Sequence, residues 1–97
     1  MKQVTAVLVG AGARGQVYAE YARQHPEELR IVAVAEPRQD RRELACRAHG
    51  VGPERSFSSW EPLLEKPRMA DAALICTLDG LHTAPALAAL EKGYHVL

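Results

Sequence analysis

Val7-Leu8-Val9-Gly10-Ala11-Gly12-Ala13-Arg14-Gly15 is the stretch whose reading decides the fold. Just upstream, Val4 to Val9 is apolar except for Thr5 and rich in β-branched residues, which is the pattern of a strand buried on both faces of a parallel sheet. Downstream, Val17, Tyr18, Tyr21 and Ala22 are spaced like one face of a helix. That spacing predicts a helix over about Arg14–Gln24, stopped by His25-Pro26 because the residue before proline avoids the α region. Between strand and helix lies G-x-G-x-x-G. Gly10 suits the tight turn, and Gly12 lets the backbone approach a pyrophosphate. Gly15 lets the helix pack closely on the strand, while the helix's first N–H groups face the phosphates. Ala11, Ala13 and Arg14 complete the loop. Arg14 is placed either to meet a phosphate or to stay solvated.

Working outward, strands and helices alternate without repeat, linker or low-complexity tract. Arg30 to Ala35 is a second apolar run, ending in Glu36-Pro37, and a helix over Gln39–His49 follows with Gly50 as its stop. A weak strand around Arg55–Phe57 leads to a short helix carrying Trp60, Leu63 and Leu64, which read as a core stripe. Ser58 or Ser59 is available to cap that helix. Asp71 to Thr77 forms the fourth strand and about Thr83–Lys92 the next helix. Tyr94 to Leu97 begins a fifth strand, where the chain ends. This is an α/β fold with a doubly wound parallel sheet. Right-handed crossovers and the usual winding place the strands in the order 3-2-1-4-5. Ligand then binds where the order reverses, at the carboxyl ends of strands 1 and 4, which carry Gly10–Gly15 and Thr77–His82.

Glu36 follows Gly15 by 21 positions (36 − 15) and ends the second strand. A carboxylate there can accept hydrogen bonds from both hydroxyls of an adenosine ribose, or it can merely cap the next turn. A 2′-phosphate meets Glu36 unfavourably, which favours NAD, whereas Arg14, Arg38, Arg41 and Arg42 are near enough to neutralise one and admit NADP. Thr77 can hydrogen-bond the cofactor or satisfy strand-end backbone. His82 faces the nicotinamide side, as a cofactor neighbour or as a structural histidine. The remaining histidines are not spaced with Cys46 and Cys76 as metal ligands, so no metal site is expected.

Composition narrows the function classes. The chain has 97 residues and no net formal charge, which gives no electrostatic case for a nucleic-acid or anionic-membrane partner. Its first apolar run is too short for a signal peptide and nothing approaches membrane-spanning length. Two cysteines in a predicted helix and at a strand end suggest reduced thiols in a cytoplasmic protein.

The ordered set Val-Gly-Ala-Gly-Ala-Arg-Gly (9–15), Val-Ala-Val-Ala-Glu-Pro (32–37), Phe-Ser-Ser-Trp-Glu-Pro-Leu-Leu (57–64), Asp-Ala-Ala-Leu-Ile-Cys-Thr (71–77), His82 and Ala-Leu-Ala-Ala-Leu-Glu-Lys-Gly-Tyr-His-Val-Leu (86–97) resembles the Gfo/Idh/MocA oxidoreductase family across essentially the whole chain. The resemblance implies an NAD(P)-binding Rossmann domain over residues 1–97. In it Gly10, Gly12 and Gly15 hold the pyrophosphate, Glu36 meets the adenosine ribose, and Thr77 and His82 lie along the nicotinamide half. It also implies a small-molecule substrate, a sugar, polyol or similar compound oxidised or reduced at a hydroxyl carbon. Two departures stand out. Thr77-Leu78 replaces the family's usual Thr-Pro, and the sequence stops before a Glu-Lys-Pro motif whose lysine serves catalysis and before the substrate domain. No catalytic residue is carried over, so the expectation is an inactive fragment that is marginally stable or self-associating as a homo-oligomer. The rival reading is a dinucleotide-binding or interaction module without catalysis. A methyltransferase-type domain is disfavoured by Arg14, where such a loop usually has glycine.

Overall fold

A computed structural model describes residues 3–77 and 83–97. Among the described residues the elements are β1 (Val4–Val9), α1 (Ala13–Gln24), β2 (Leu29–Ala35), α2 (Gln39–His49), a 3-10 turn (Pro53–Arg55), β3 (Ser56–Phe57), α3 (Trp60–Glu65), β4 (Ala72–Ile75), α4 (Thr83–Glu91) and β5 (His95–Val96). The five strands form one parallel sheet in the order β3-β2-β1-β4-β5, as the alternation of elements requires. The fold is a Rossmann-like α/β sheet flanked by helices. None of the described helices is long and apolar enough to cross a membrane.

Period-two alternation in β1 and β4 divides the apolar residues between two layers. Ala6, Leu8, Ala72 and Leu74 join Ala22 of α1 and Ala45 of α2 on one face. Val7, Val9, Ala73 and Ile75 join Leu63 and Leu64 of α3 and Ala89 of α4 on the other. Much of this core is alanine. At the amino ends of the strands, Asp71 ties β1 to β4 by accepting from the Thr5 N–H at 3.1 Å and the Thr5 hydroxyl at 3.2 Å.

The pairing of β1 with β2 is irregular. Ala6 lies opposite Ile31 and Val7 opposite Ala33, leaving Val32 as an extra residue in β2. Ile31 and Val34 accordingly pack on the α1–α2 face, whereas Ala33 and Ala35 pack on the other.

The helical face expected for α1 is corrected. Val17 is 69% exposed and Tyr21 47%, while Ala22 is buried and Tyr18 partly so. Gly15, itself buried, sets the inward direction, and Tyr18 and Ala22 follow it at i+3 and i+7. Ser59 occupies the N-cap of α3, but its side chain makes no capping hydrogen bond.

A candidate dinucleotide cleft

The chain turns sharply where β1 ends. Gly10 adopts φ +92°, a left-handed conformation that side chains disfavour, and its N–H donates to the Ala35 carbonyl at 2.8 Å. A Cβ on Gly10 would lie 2.6 Å from the Cys76 carbonyl oxygen, so the turn is wedged between the ends of β2 and β4. A Cβ on Gly15 would fall on the Gly10 carbonyl oxygen, which is why the first turn of α1 can sit directly on the loop. Gly12 differs. A Cβ there would meet only the Arg41 guanidinium, at 3.3 Å from Nη1, so its backbone is otherwise open to the cleft.

That cleft has a volume of about 620 Å³ and runs along the carboxyl ends of β1, β2 and β4. Gly10 and Gly12 line it from one side, Glu36, Arg38 and Arg41 from another, and Trp60 and Thr77 from the rest. Glu36 is the buried charged residue of the described core, 5% exposed. One carboxylate oxygen accepts from the Ala11 N–H at 2.7 Å and the other from the Arg38 N–H at 2.7 Å. The glycine loop and the β2–α2 loop are thus braced by one side chain. Such hydrogen bonds to a charged acceptor are short and strong. Each carboxylate oxygen has a second lone-pair direction, leaving room for a ligand hydroxyl.

The arginines around Glu36 have separate engagements. Arg42 donates from Nη1 to the Glu36 carbonyl at 2.7 Å, holding α2 against the end of β2. The Arg38 guanidinium pairs with Asp40 at 3.0 Å, and this hydrogen bond holds the Asp40 carboxyl below its ordinary pKa. What Arg38 offers the cleft is its position on the rim and the N–H that Glu36 accepts. Thr77 lines the cleft beside Gly10. Its hydroxyl oxygen is buried without a hydrogen-bond partner among the described residues.

Of the residues singled out in the sequence, the structure therefore brings Gly10, Ala11, Gly12, Glu36, Arg38 and Thr77 to one cleft or its bracing. Ala13 and Arg14 begin α1 next to Gly12. His82 lies outside the described residues. Arg41 and Trp60 line the cleft too. Trp60 packs on the core and lines the cleft as well, because it comes three residues after the carboxyl end of β3, on the ligand side of the sheet. Cys46 is partly buried and Cys76 buried. His25, Glu27 and Glu28 gather at the amino end of β2, where His25 Nδ1 stands 3.4 Å from a Glu28 carboxylate oxygen.

Residues 4–97 match the model of an oxidoreductase family with an NAD-binding Rossmann fold. Among solved structures, the WlbA dehydrogenase from Bordetella pertussis, in complex with NADH and UDP-GlcNAcA, is 28% identical, with a TM-score of 0.82 over 97% of this chain and 28% of that one. A biliverdin reductase from Synechocystis, in complex with biliverdin and NADP+, is 32% identical, with a TM-score of 0.78 over 96% of this chain and 28% of that one. A myo-inositol 2-dehydrogenase from Lactobacillus plantarum, 21% identical, shares the fold with a TM-score of 0.83 over 98% of this chain and 27% of that one. The chain thus spans little more than a quarter of the length of these proteins. No curated protein sequence matches it.

Proposed function

Because the chain belongs to the Gfo/Idh/MocA family of oxidoreductases, whose NAD-binding Rossmann fold it matches over residues 4–97, we propose that residues 1–97 are one NAD(P)-binding domain and that the cleft is its cofactor site. Gly10, Ala11, Gly12, Ala13, Arg14 and Gly15 face the pyrophosphate. Glu36 receives the adenosine ribose hydroxyls beside the Arg38 rim, and Thr77 and His82 lie along the nicotinamide half.

The observation that carries this reading is the buried Glu36 carboxylate holding the glycine loop open toward a 620 Å³ cleft. A purely structural acid would not need a cavity at its side, and a loop built only to turn would not need Gly12 free of a side chain. The Thr77 hydroxyl, without a partner among the described residues, supports it as well. A dinucleotide's polar groups would satisfy that hydroxyl, whereas an apolar ligand would leave it unpaired.

When bound, the nicotinamide supplies or accepts a hydride. In this reading the 97 residues bind and orient the cofactor, and no proton transfer is assigned to any of them. The reaction of the whole protein is oxidation or reduction at a hydroxyl carbon of a sugar, polyol or similar small molecule. The NADH and UDP-GlcNAcA bound by the WlbA dehydrogenase support this choice. We further infer a reducing, cytoplasmic setting from the two cysteines, one in α2 and one just after β4. We infer self-association from the exposed Leu87, Leu90 and Leu97.

Titration with NADH, followed by cofactor fluorescence, tests the site. Saturable binding is expected, and Thr77→Val should weaken it by about fivefold or more while leaving the melting temperature unchanged or raised, since it removes an unpaired buried hydroxyl. A folded wild-type chain that binds no NADH would overturn the reading.

A further inference from the structure

At the end of the sheet opposite the cleft, α1 passes into β2 through His25-Pro26-Glu27-Glu28. His25 is the C-cap of α1, and its N–H donates to the Tyr21 carbonyl at 2.8 Å. The Glu28 and Leu29 N–H groups close the turn by donating to the His25 carbonyl at 2.9 and 3.1 Å. The Val4 N–H anchors it to β1 by donating to the Glu28 carbonyl at 2.9 Å. On this fixed backbone three side chains converge. His25 Nδ1 stands 3.4 Å from a Glu28 carboxylate oxygen and 3.7 Å from a Glu27 one. Tyr21 orients two of them: its hydroxyl donates to the same Glu28 oxygen at 2.9 Å, and its ring centroid lies 4.6 Å from that of His25.

The separations decide between an ion pair and a ligand set. A charge-assisted hydrogen bond from a histidine to a carboxylate measures about 2.7–2.9 Å, and neither contact is that short. Two atoms bound about 2.0–2.1 Å from one tetrahedral zinc ion stand roughly 3.4 Å apart. The two histidine–carboxylate distances lie near that spacing, and all three ligand atoms fall within 4.8 Å of one another. The remaining adjustment falls to Glu27, whose side chain is 69% exposed. Two carboxylates this close repel, and a cation between them offsets the repulsion. The negative end of the α1 dipole adds to the attraction. One imidazole nitrogen with two carboxylate oxygens suits zinc and its transition-metal neighbours, whereas magnesium and calcium prefer oxygen alone. The cysteines are not spaced to help, but the glutamates supply the donors instead. We propose that His25, Glu27 and Glu28 bind one divalent transition cation, zinc by this donor set, with water completing its coordination. The cation ties the end of α1 to the start of β2 and so favours the folded chain. This site lies apart from the cofactor cleft and does not depend on that reading.

The test is calorimetric titration of the untagged chain with Zn2+ and with Mg2+, beside thermal melts in each ion. Wild type should take up one Zn2+, melt higher with it, and show no response to Mg2+ at the same concentration. His25→Ala and Glu27→Gln should each weaken Zn2+ binding by about tenfold or more while leaving the metal-free melt nearly unchanged. His95→Ala, at an exposed histidine of β5, should bind as wild type does. A wild type that binds no Zn2+ would overturn the proposal. Zn2+ binding that survives either His25→Ala or Glu27→Gln would do the same, by placing the ion elsewhere. Equal binding of Mg2+ and Zn2+ would also overturn it, reducing the site to a general attraction of cations to acidic groups.

Discussion

Replacing Glu36 should destabilise the fold in the absence of any cofactor. In Glu36→Ala, two charge-assisted hydrogen bonds of 2.7 Å disappear and the Ala11 N–H, on a residue 2% exposed, is left without its acceptor. A hydrogen bond to a charged group contributes about 1.5–3 kcal/mol, and leaving a buried donor unmade costs about 1–3 kcal/mol. Against this, the mutant no longer has to desolvate a carboxylate, which returns part of the loss. A net destabilisation of about 2–4 kcal/mol follows, a large share of the roughly 5–15 kcal/mol that holds a domain together. Glu36→Gln separates charge from shape. Its carbonyl can still serve one N–H, but its amide then points a donor at the other, so a loss of about 1–2 kcal/mol is expected. Urea unfolding without nucleotide reads both values from the midpoint at constant m. If Glu36→Ala unfolds within about 0.5 kcal/mol of wild type, the brace contributes nothing and the reasoning is refuted.

Two further predictions concern other parts of the molecule. Gly15→Ala forces a methyl group onto the Gly10 carbonyl oxygen and should cost about 1–3 kcal/mol, whereas Gly12→Ala meets only the movable Arg41 side chain and should cost under about 1 kcal/mol; paired thermal melts would reverse this order if the close approach of α1 were unimportant. Burial pushes the His49 pKa down, so the unfolded chain binds protons more readily there; stability is present at neutral pH and is lost as pH falls below the ordinary histidine value toward the lowered one. His49→Gln should therefore show a smaller fall in melting temperature between pH 7.5 and pH 5.5, chosen to span roughly that range, than wild type does.

The sheet order and nearly all elements were legible because apolar runs alternate with helical spacings, and Gly10 and Pro37 close the first two strands. The bounds of α2, Gln39–His49, coincide with those read from its flanks. The inward face of α1 was not legible from Val17 and Tyr21, because the direction is set by contact between Gly15 and Gly10 and not by the most apolar residues. The glycine loop and Glu36 were legible as a pattern, but the way Glu36 braces Ala11 is a matter of distance that no spacing encodes. Likewise, Arg38, Arg41 and Arg42 are alike in sequence. Only the partners Asp40 and the Glu36 carbonyl tell Arg38 and Arg42 apart.

The extra residue in β2 bears on all of this through odd and even positions. A strand presents its side chains left and right in turn, so an unbroken alternation from Ile31 would have sent residue 36 to the side of α3 and α4. Val32 inserts one half-step. Val34 returns to the side of α1, Ala35 leaves it, and Glu36 arrives facing Ala11. Because Leu29–Ala35 is apolar at every position except Arg30, nothing in its hydrophobicity records the half-step. Pairing the same residues without the extra one looped out would keep the strand greasy, yet hand the carboxylate to the wrong side of the sheet. The chemistry of the cleft thus hangs on a count of residues as much as on their kind.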